Sequence, residues 1–178
     1  MSKKVLILSA SPRKGGNSDL LCDEFLKGSL DAGHKAEKIF LKNKTIGYCT
    51  GCGVCFGGKP CSQKDDMSEM LEKMVEADVI VMATPVYFYT MNGQMKTLID
   101  RTCARYQEIS NKEFYFIVAA ADGSHALMQR TIEEFRGFTY CLSNPKEKGI
   151  VYGTGAWQMG DIKGKPAMSE AYTFGKNV

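Results

Sequence analysis

Two groups of side chains in this sequence are spaced for chemistry. The first is Ser9-Ala10-Ser11-Pro12-Arg13-Lys14-Gly15-Gly16-Asn17-Ser18, a run of hydroxyls, glycines and cations. The second is Cys49-x-x-Cys52-x-x-Cys55-x5-Cys61, with two successive short intervals and a fourth thiol in reach. The first group suits an anion. It follows the apolar run Val5-Leu6-Ile7-Leu8, and Leu20, Leu21, Cys22 and Phe25 continue it at helical spacing. A strand, a small polar turn and a helix start bring free N–H groups and the positive end of a helix dipole to one place. Neither G-x-x-x-x-G-K-[ST] nor G-x-G-x-x-G occurs. Serine hydroxyls, Arg13 and Asn17 would wrap a terminal phosphate instead, as in a mononucleotide. The plainer alternative is a surface turn whose Asn or Ser caps a helix.

The cysteine spacing lets three thiolates converge on one centre, with Cys61 closing the set. Zinc ribbons place their two CxxC pairs farther apart. The run is closer to the C-x2-C-x2-C-x3-C-P of bacterial ferredoxins, with a longer last gap and with Pro60 ahead of Cys61. Gly47, Gly51, Gly53, Gly57 and Gly58 would let the backbone fold tightly there. The alternative is a set of free, partly buried thiols. Cys22, Cys103 and Cys141 fall in predicted helices and read as small core residues.

The elements that must position these groups follow from periodicity. Helices are expected over residues 17–32, from Asp66 onward, over 92–106, over 124–141 and over 166–176. Asp66 with Glu69 reads as a capping box for the second, whose Met67, Met70, Leu71, Met74 and Val75 recur at helical spacing as core filler. Strands are expected at Val5–Leu8, 35–41, 79–83, 114–121 and 149–152. The polar residues of 35–41 place it near a sheet edge. Strands alternating with helices predict a doubly wound α/β sandwich: a five-stranded parallel sheet in the order 2-1-3-4-5, with helices on both faces. Three strand ends carry ligand-like turns: the first loop, Thr84-Pro85-Val86-Tyr87-Phe88, and Ala121 followed by Asp122-Gly123-Ser124. Ligands in such sheets bind beyond the carboxyl ends of the strands.

Composition narrows the class. The 178 residues read as one domain, 1–178, with a cysteine-rich insertion at about 43–64. Hydrophobic content of 44% and charged content of 24% are ordinary for a globular chain. No run reaches the length of a membrane span, and no secretory signal opens the chain, so a cytoplasmic protein without membrane contact is expected. The net charge of +3 comes without a basic tract, so no nucleic acid is expected as a partner. Two histidines, His34 and His125, are too few for a histidine-rich metal site.

The aromatic second loop adds a ring to the phosphate. Tyr87, Phe88 and Tyr89 offer flat surfaces beside the turn that Pro85 restricts. The sequence resembles the NADPH-dependent FMN reductase family of the flavodoxin-like superfamily, and especially its iron–sulfur flavoprotein branch. The resemblance rests on Ser9-Ala10-Ser11-Pro12-Arg13, Gly16-Asn17-Ser18, Ala77-Asp78, Thr84-Pro85-Val86-Tyr87, Gln94-Met95-Lys96 and Ile99-Asp100-Arg101. It implies an FMN phosphate held by Ser9, Ser11, Arg13, Gly16, Asn17 and Ser18. The isoalloxazine would lie along Thr84, Pro85, Val86, Tyr87 and Phe88, with Asp122, Gly123 and Ser124 on its other side. Asp100 and Arg101 read as structural or subunit-contact residues. Electrons would pass from NAD(P)H to a small acceptor such as a quinone, nitro or azo compound or free flavin, with no catalytic side chain required. The branch further implies a [4Fe–4S] cluster on Cys49, Cys52, Cys55 and Cys61, ferredoxin as a partner, and a homo-oligomer. A flavodoxin-type carrier is the alternative, though such carriers are usually strongly acidic and the isoelectric point here is near 8.4. A zinc-stapled interaction module is the third reading.

Overall fold

The computed structural model describes all 178 residues. Strand β1 is Lys4–Ser9, followed by helix α1, Asn17–Asp31, and strand β2, Lys35–Phe40. Helix α2 is Met67–Glu76 and strand β3 is Val79–Tyr87. A two-residue strand β4, Thr90–Met91, precedes helix α3, Gly93–Arg101. Strand β5, Glu113–Ala119, helix α4, His125–Tyr140, strand β6, Lys146–Gly153, and helix α5, Pro166–Lys176, complete the chain.

The sheet runs β2-β1-β3-β5-β6, all parallel. With β4 set aside this is the order expected from the sequence, and the polar β2 is indeed at an edge. Strand β4 is the addition: it pairs antiparallel with the end of β3, Val86 opposite Met91 and Tyr87 opposite Thr90. The two residues between them, Phe88 and Tyr89, have φ of 50° and 64°. A tight hairpin matched to strand twist needs left-handed backbone at both turn positions, which Asn-Gly supplies without strain. Here two aromatic residues hold it, at a steric cost.

Alternation along the buried strands feeds two cores. Leu6, Leu8, Ile80, Met82, Phe114 and Phe116 face one side, against α2, α3 and α4. Val5, Ile7, Val79, Val81, Tyr115 and Ile117 face the other, against α1 and α5. The expected methionines, Met67, Met70 and Met74, are fully buried in the first core. On the second face α1 and α5 approach so closely that a Cβ on Gly28 would sit 2.1 Å from the Tyr172 carbonyl oxygen. One on Gly175 would sit 2.1 Å from that of Phe25.

Three local expectations are corrected. Helix α3 ends at Arg101, where 3-10 turns Thr102–Ala104 and Tyr106–Glu108 take over. Strand β3 continues through Thr84–Tyr87, where the sequence predicts a turn. Asp66 does not cap α2 with its side chain: its carboxylate accepts from Thr45 N–H at 2.6 Å, while Asp65 accepts from Met67 N–H at 3.1 Å.

Candidate flavin site

The carboxyl ends of four strands are stitched together by backbone bonds. Ala10 N–H donates to Ala83, Ala120 N–H to Gly153 and Ala156 N–H to Ala120, all at 2.9 Å. Below that seam lies a cavity of about 260 Å³. One wall is Ser11, Pro12, Arg13, Gly16, Asn17 and Ser18; another is Pro85, Val86 and Tyr87. Ala119, Ala120 and Ala121 form its floor, and Ala156, Trp157 and Gln158 complete it.

Ser18 carries the clearest chemical signal. It is 1% exposed, it lines the cavity, and its hydroxyl has no hydrogen-bond partner. The N–H groups of Asn17, Ser18 and Asp19, in the first turn of α1, likewise meet no acceptor in the chain. Leaving a buried donor unpaired costs roughly 1–3 kcal/mol, so this end is built for an acceptor that comes from outside. Arg13 stands exposed at the same wall, near no carboxylate that pairs with it. Gly16 is required there: a Cβ would lie 2.6 Å from Ser11 Oγ and 3.0 Å from Arg13 O. Donors, a free guanidinium and a cradle with no room for a side chain fit a phosphate monoester.

A charged network supports the loop from behind. Asp19, 2% exposed, accepts from Ser9 Oγ at 2.8 Å, Gly15 N–H at 2.9 Å and Lys38 Nζ at 2.9 Å. Lys38 also pairs with Asp23. Ser9 is therefore spent on Asp19 and is not part of the cavity wall, contrary to expectation. Asn17 lines the cavity, but its amide is also fully engaged. It donates to Ala156 O (3.1 Å) and Gln158 O (2.9 Å) and accepts from the N–H groups of Gly160 (3.0 Å) and Ile162 (3.3 Å). It holds the loop that carries Trp157.

Other expected residues also take supporting places. Thr84 is buried and bonds Asn92, whose amide donates to Ala10 O at 2.5 Å and whose oxygen caps α3 through Met95 N–H. Thr84 thus ties the ring loop to the phosphate loop from outside the cavity. Phe88 is 97% exposed at the hairpin tip and does not line the wall. Asp122, Gly123 and Ser124 are exposed too, because Asp122 closes its own turn by accepting from Ser124 N–H at 2.8 Å. The three alanines before it line the cavity instead. The sequence signal for these and for Trp157 was present: strand ends in small residues, and the one tryptophan after Gly153-Thr154-Gly155.

The cysteine loop is anchored by Arg101, whose side chain is 2% exposed. Its guanidinium grips both oxygens of Asp65 (2.7 and 2.9 Å) and donates to Gly47 O at 2.6 Å and Cys61 Sγ at 3.6 Å. Hydrogen bonding to Arg101 holds the Asp65 carboxyl down to about 2. Asp100 instead pairs with Lys96 on its own helix at 2.6 Å. Cys55 Sγ lies 4.0 Å from Cys103 Sγ, and burial together with that thiol pushes Cys103 up. Cys52 faces the Ser62 hydroxyl at 3.4 Å, a contact that lowers its thiol. No three His, Cys, Asp or Glu side chains come together as a metal-holding group. The four expected cysteines are not gathered into one group.

A flavodoxin-like sheet with a partly polar cavity at its strand ends defines the class. The sequence profile of the NADPH-dependent FMN reductases matches residues 3–142, and the chain belongs to that family. An iron–sulfur flavoprotein of Archaeoglobus fulgidus is 42% identical over 98 residues, which are 55% of this chain and 44% of that protein. The chain spans about half the length of such curated relatives. The putative NAD(P)H-dependent FMN-containing oxidoreductase YwqN of Bacillus subtilis is 27% identical over 169 residues, 89% of this chain and 88% of that one. The solved Trp repressor binding protein from Bacillus subtilis aligns with a TM-score of 0.71 at 26% identity, covering 97% of this chain and 99% of its own. No helix is long and apolar enough to cross a membrane.

Proposed function

We propose that the chain is an FMN-dependent oxidoreductase that passes electrons from NAD(P)H to a small acceptor, a quinone, nitro or azo compound or free flavin. The observation that carries this reading is the buried, unpartnered Ser18 hydroxyl beside the free first-turn N–H groups of α1, in a cavity floored by small residues. Family membership and the similarity to YwqN support it. Ser11, Arg13, Gly16 and Ser18 would hold the phosphate, and Pro85, Val86 and Tyr87 would lie along the ring. Bound FMN supplies hydride acceptance and one- or two-electron transfer. The chain orients it: Asn17 fixes the Trp157 loop and Thr84 fixes the ring loop to the phosphate loop.

The iron–sulfur reading rests on the spacing of Cys49, Cys52, Cys55 and Cys61 and on the relatives so named. It requires the loop to gather the four thiols, and the Arg101 N–H that meets Cys61 Sγ could remain as a hydrogen bond to the ligating sulfur. A ferredoxin partner depends on that step. A cytoplasmic location is carried from the sequence reading, and a homo-oligomer rests on the family resemblance.

The test is chromatography of the cofactor released by denaturation, with iron measured on anaerobically reconstituted protein. FMN at about one per chain is expected. FAD, or no flavin after reconstitution with FMN, overturns the main reading; about four irons per chain establishes the cluster, and none removes it.

A further inference from the structure

Of the seven cysteines, two bring their sulfurs together: Cys55 Sγ lies 4.0 Å from Cys103 Sγ, across 48 residues of chain. Cys22 is buried in the second core, Cys52 faces Ser62, Cys61 meets Arg101 and Cys141 lies against Gly137 O. Cys103 stands outside the spaced run of Cys49, Cys52, Cys55 and Cys61, so that spacing does not account for the contact. The segments that carry the two thiols differ. Cys103 is in the 3-10 turn that continues α3, where Thr102 is buried and Arg101 is anchored to Asp65. Cys55 is in a second 3-10 turn, Val54–Gly57, which has no buried residue. Gly53 and Gly58 bound that turn, both with φ of 72°, a backbone that glycine adopts at no steric cost. Sulfurs in a disulfide are about 2.05 Å apart, so the pair must close by about 2 Å. The turn between the two glycines can supply that shift without disturbing either core. Both thiols are partly exposed, and an apolar cleft of about 750 Å³ lined by Phe56, Ile99, Cys103 and Phe138 gives a small oxidant access.

We propose that Cys55 and Cys103 form a reversible disulfide by exchange with a low-molecular-weight disulfide, and that the bond clamps the cysteine loop to the end of α3. One protein thiolate attacks the small disulfide and expels a small thiolate; the other attacks the resulting mixed disulfide and expels the second. One S–S bond breaks and one forms. The protein loses two electrons and two protons, and both appear on the two small thiols released. Excess small thiol reverses the step, as expected for a bond between partly exposed sulfurs. The clamp also withdraws Cys55 from the four-cysteine run. That consequence rests on the iron–sulfur reading, whereas the clamp itself does not.

The experiment exposes anaerobically reduced, iron-free protein to glutathione disulfide in excess over glutathione, then counts free thiols after unfolding. Two fewer than the seven thiols of the reduced chain should react, in monomeric protein. Added glutathione should restore all of them. Peptide mapping without reductant should find one cross-link. Cys49→Ser and Cys52→Ser should keep it, and Cys55→Ser and Cys103→Ser should each abolish it. Hydrogen exchange across residues 53–58 should slow on oxidation and recover on reduction. No loss of thiols, a bond between two other cysteines, a bond only between chains, or one that survives Cys103→Ser would each overturn the proposal. In a second arm, the oxidised wild type should take up iron only after reduction; equal uptake by both forms overturns the withdrawal of Cys55. Reduced protein that takes up no iron removes the iron–sulfur reading, and the thiol count and mapping still decide the clamp.

Discussion

At the scale of single residues, the cavity separates groups that would touch a ligand from groups that hold the wall. Arg13 is free and exposed at the proposed phosphate end, whereas Asn17 spends its whole amide on the loop of residues 156–162. The two substitutions should therefore differ in kind. Arg13→Ala should weaken FMN about tenfold or more and leave riboflavin nearly unaffected, since only FMN carries the charge the guanidinium engages. Asn17→Ala strips four hydrogen bonds from a buried position. It should cost about 1–3 kcal/mol of stability and weaken FMN and riboflavin alike through the Trp157 loop. Fluorescence titration with both flavins and a melting curve check the pair; equal loss for Arg13→Ala would remove it from the phosphate site.

At the scale of elements, the loop of residues 43–64 hangs on one buried cation. Arg101 reaches from the end of α3 to Asp65 ahead of α2, and on the way satisfies Gly47 O and meets Cys61. Removing one partner of such a buried pair leaves the other unpaired, so Arg101→Met should cost roughly 3–5 kcal/mol. The pair also sets an acid limit. The Asp65 carboxyl lies near 2 in the folded protein, below its unfolded value of about 3.9. The ion pair thus contributes fully above about pH 4, and that contribution is lost as the pH falls toward 2. Melting temperatures between pH 5 and 2 should fall more steeply for the wild type than for Asp65→Asn/Arg101→Met. Parallel curves would show that Asp65 does not titrate with folding.

At the scale of the whole molecule, the close packing of α1 and α5 covers one face of the sheet. It depends on Gly28 and Gly175, whose missing Cβ atoms leave room for backbone. Gly175→Ala must push the helices apart; overpacking of this kind costs about 1–3 kcal/mol, or about 2–4 °C of Tm per kcal/mol in a chain of this size. An unchanged Tm would mean that α5 can shift without loss. What the sequence determined alone is the set of elements and their order. Val5–Leu8 and Val79–Ala83 are apolar on both faces, which only a strand covered on both sides tolerates, and Lys35–Phe40 is polar enough to mark an edge. The hydroxyls, glycines and Arg13 of the first loop were legible because the groups proposed to meet the phosphate are local, set by one turn and one helix start. What only the tertiary structure decided are the contacts between segments distant in sequence. Asn17 turned to a loop about 140 residues away, and the floor of the cavity fell to three alanines rather than to Asp122. Periodicity reports which face of an element is buried; the chain that arrives to bury it, and the polar groups it brings, are set by the packing of all the layers at once.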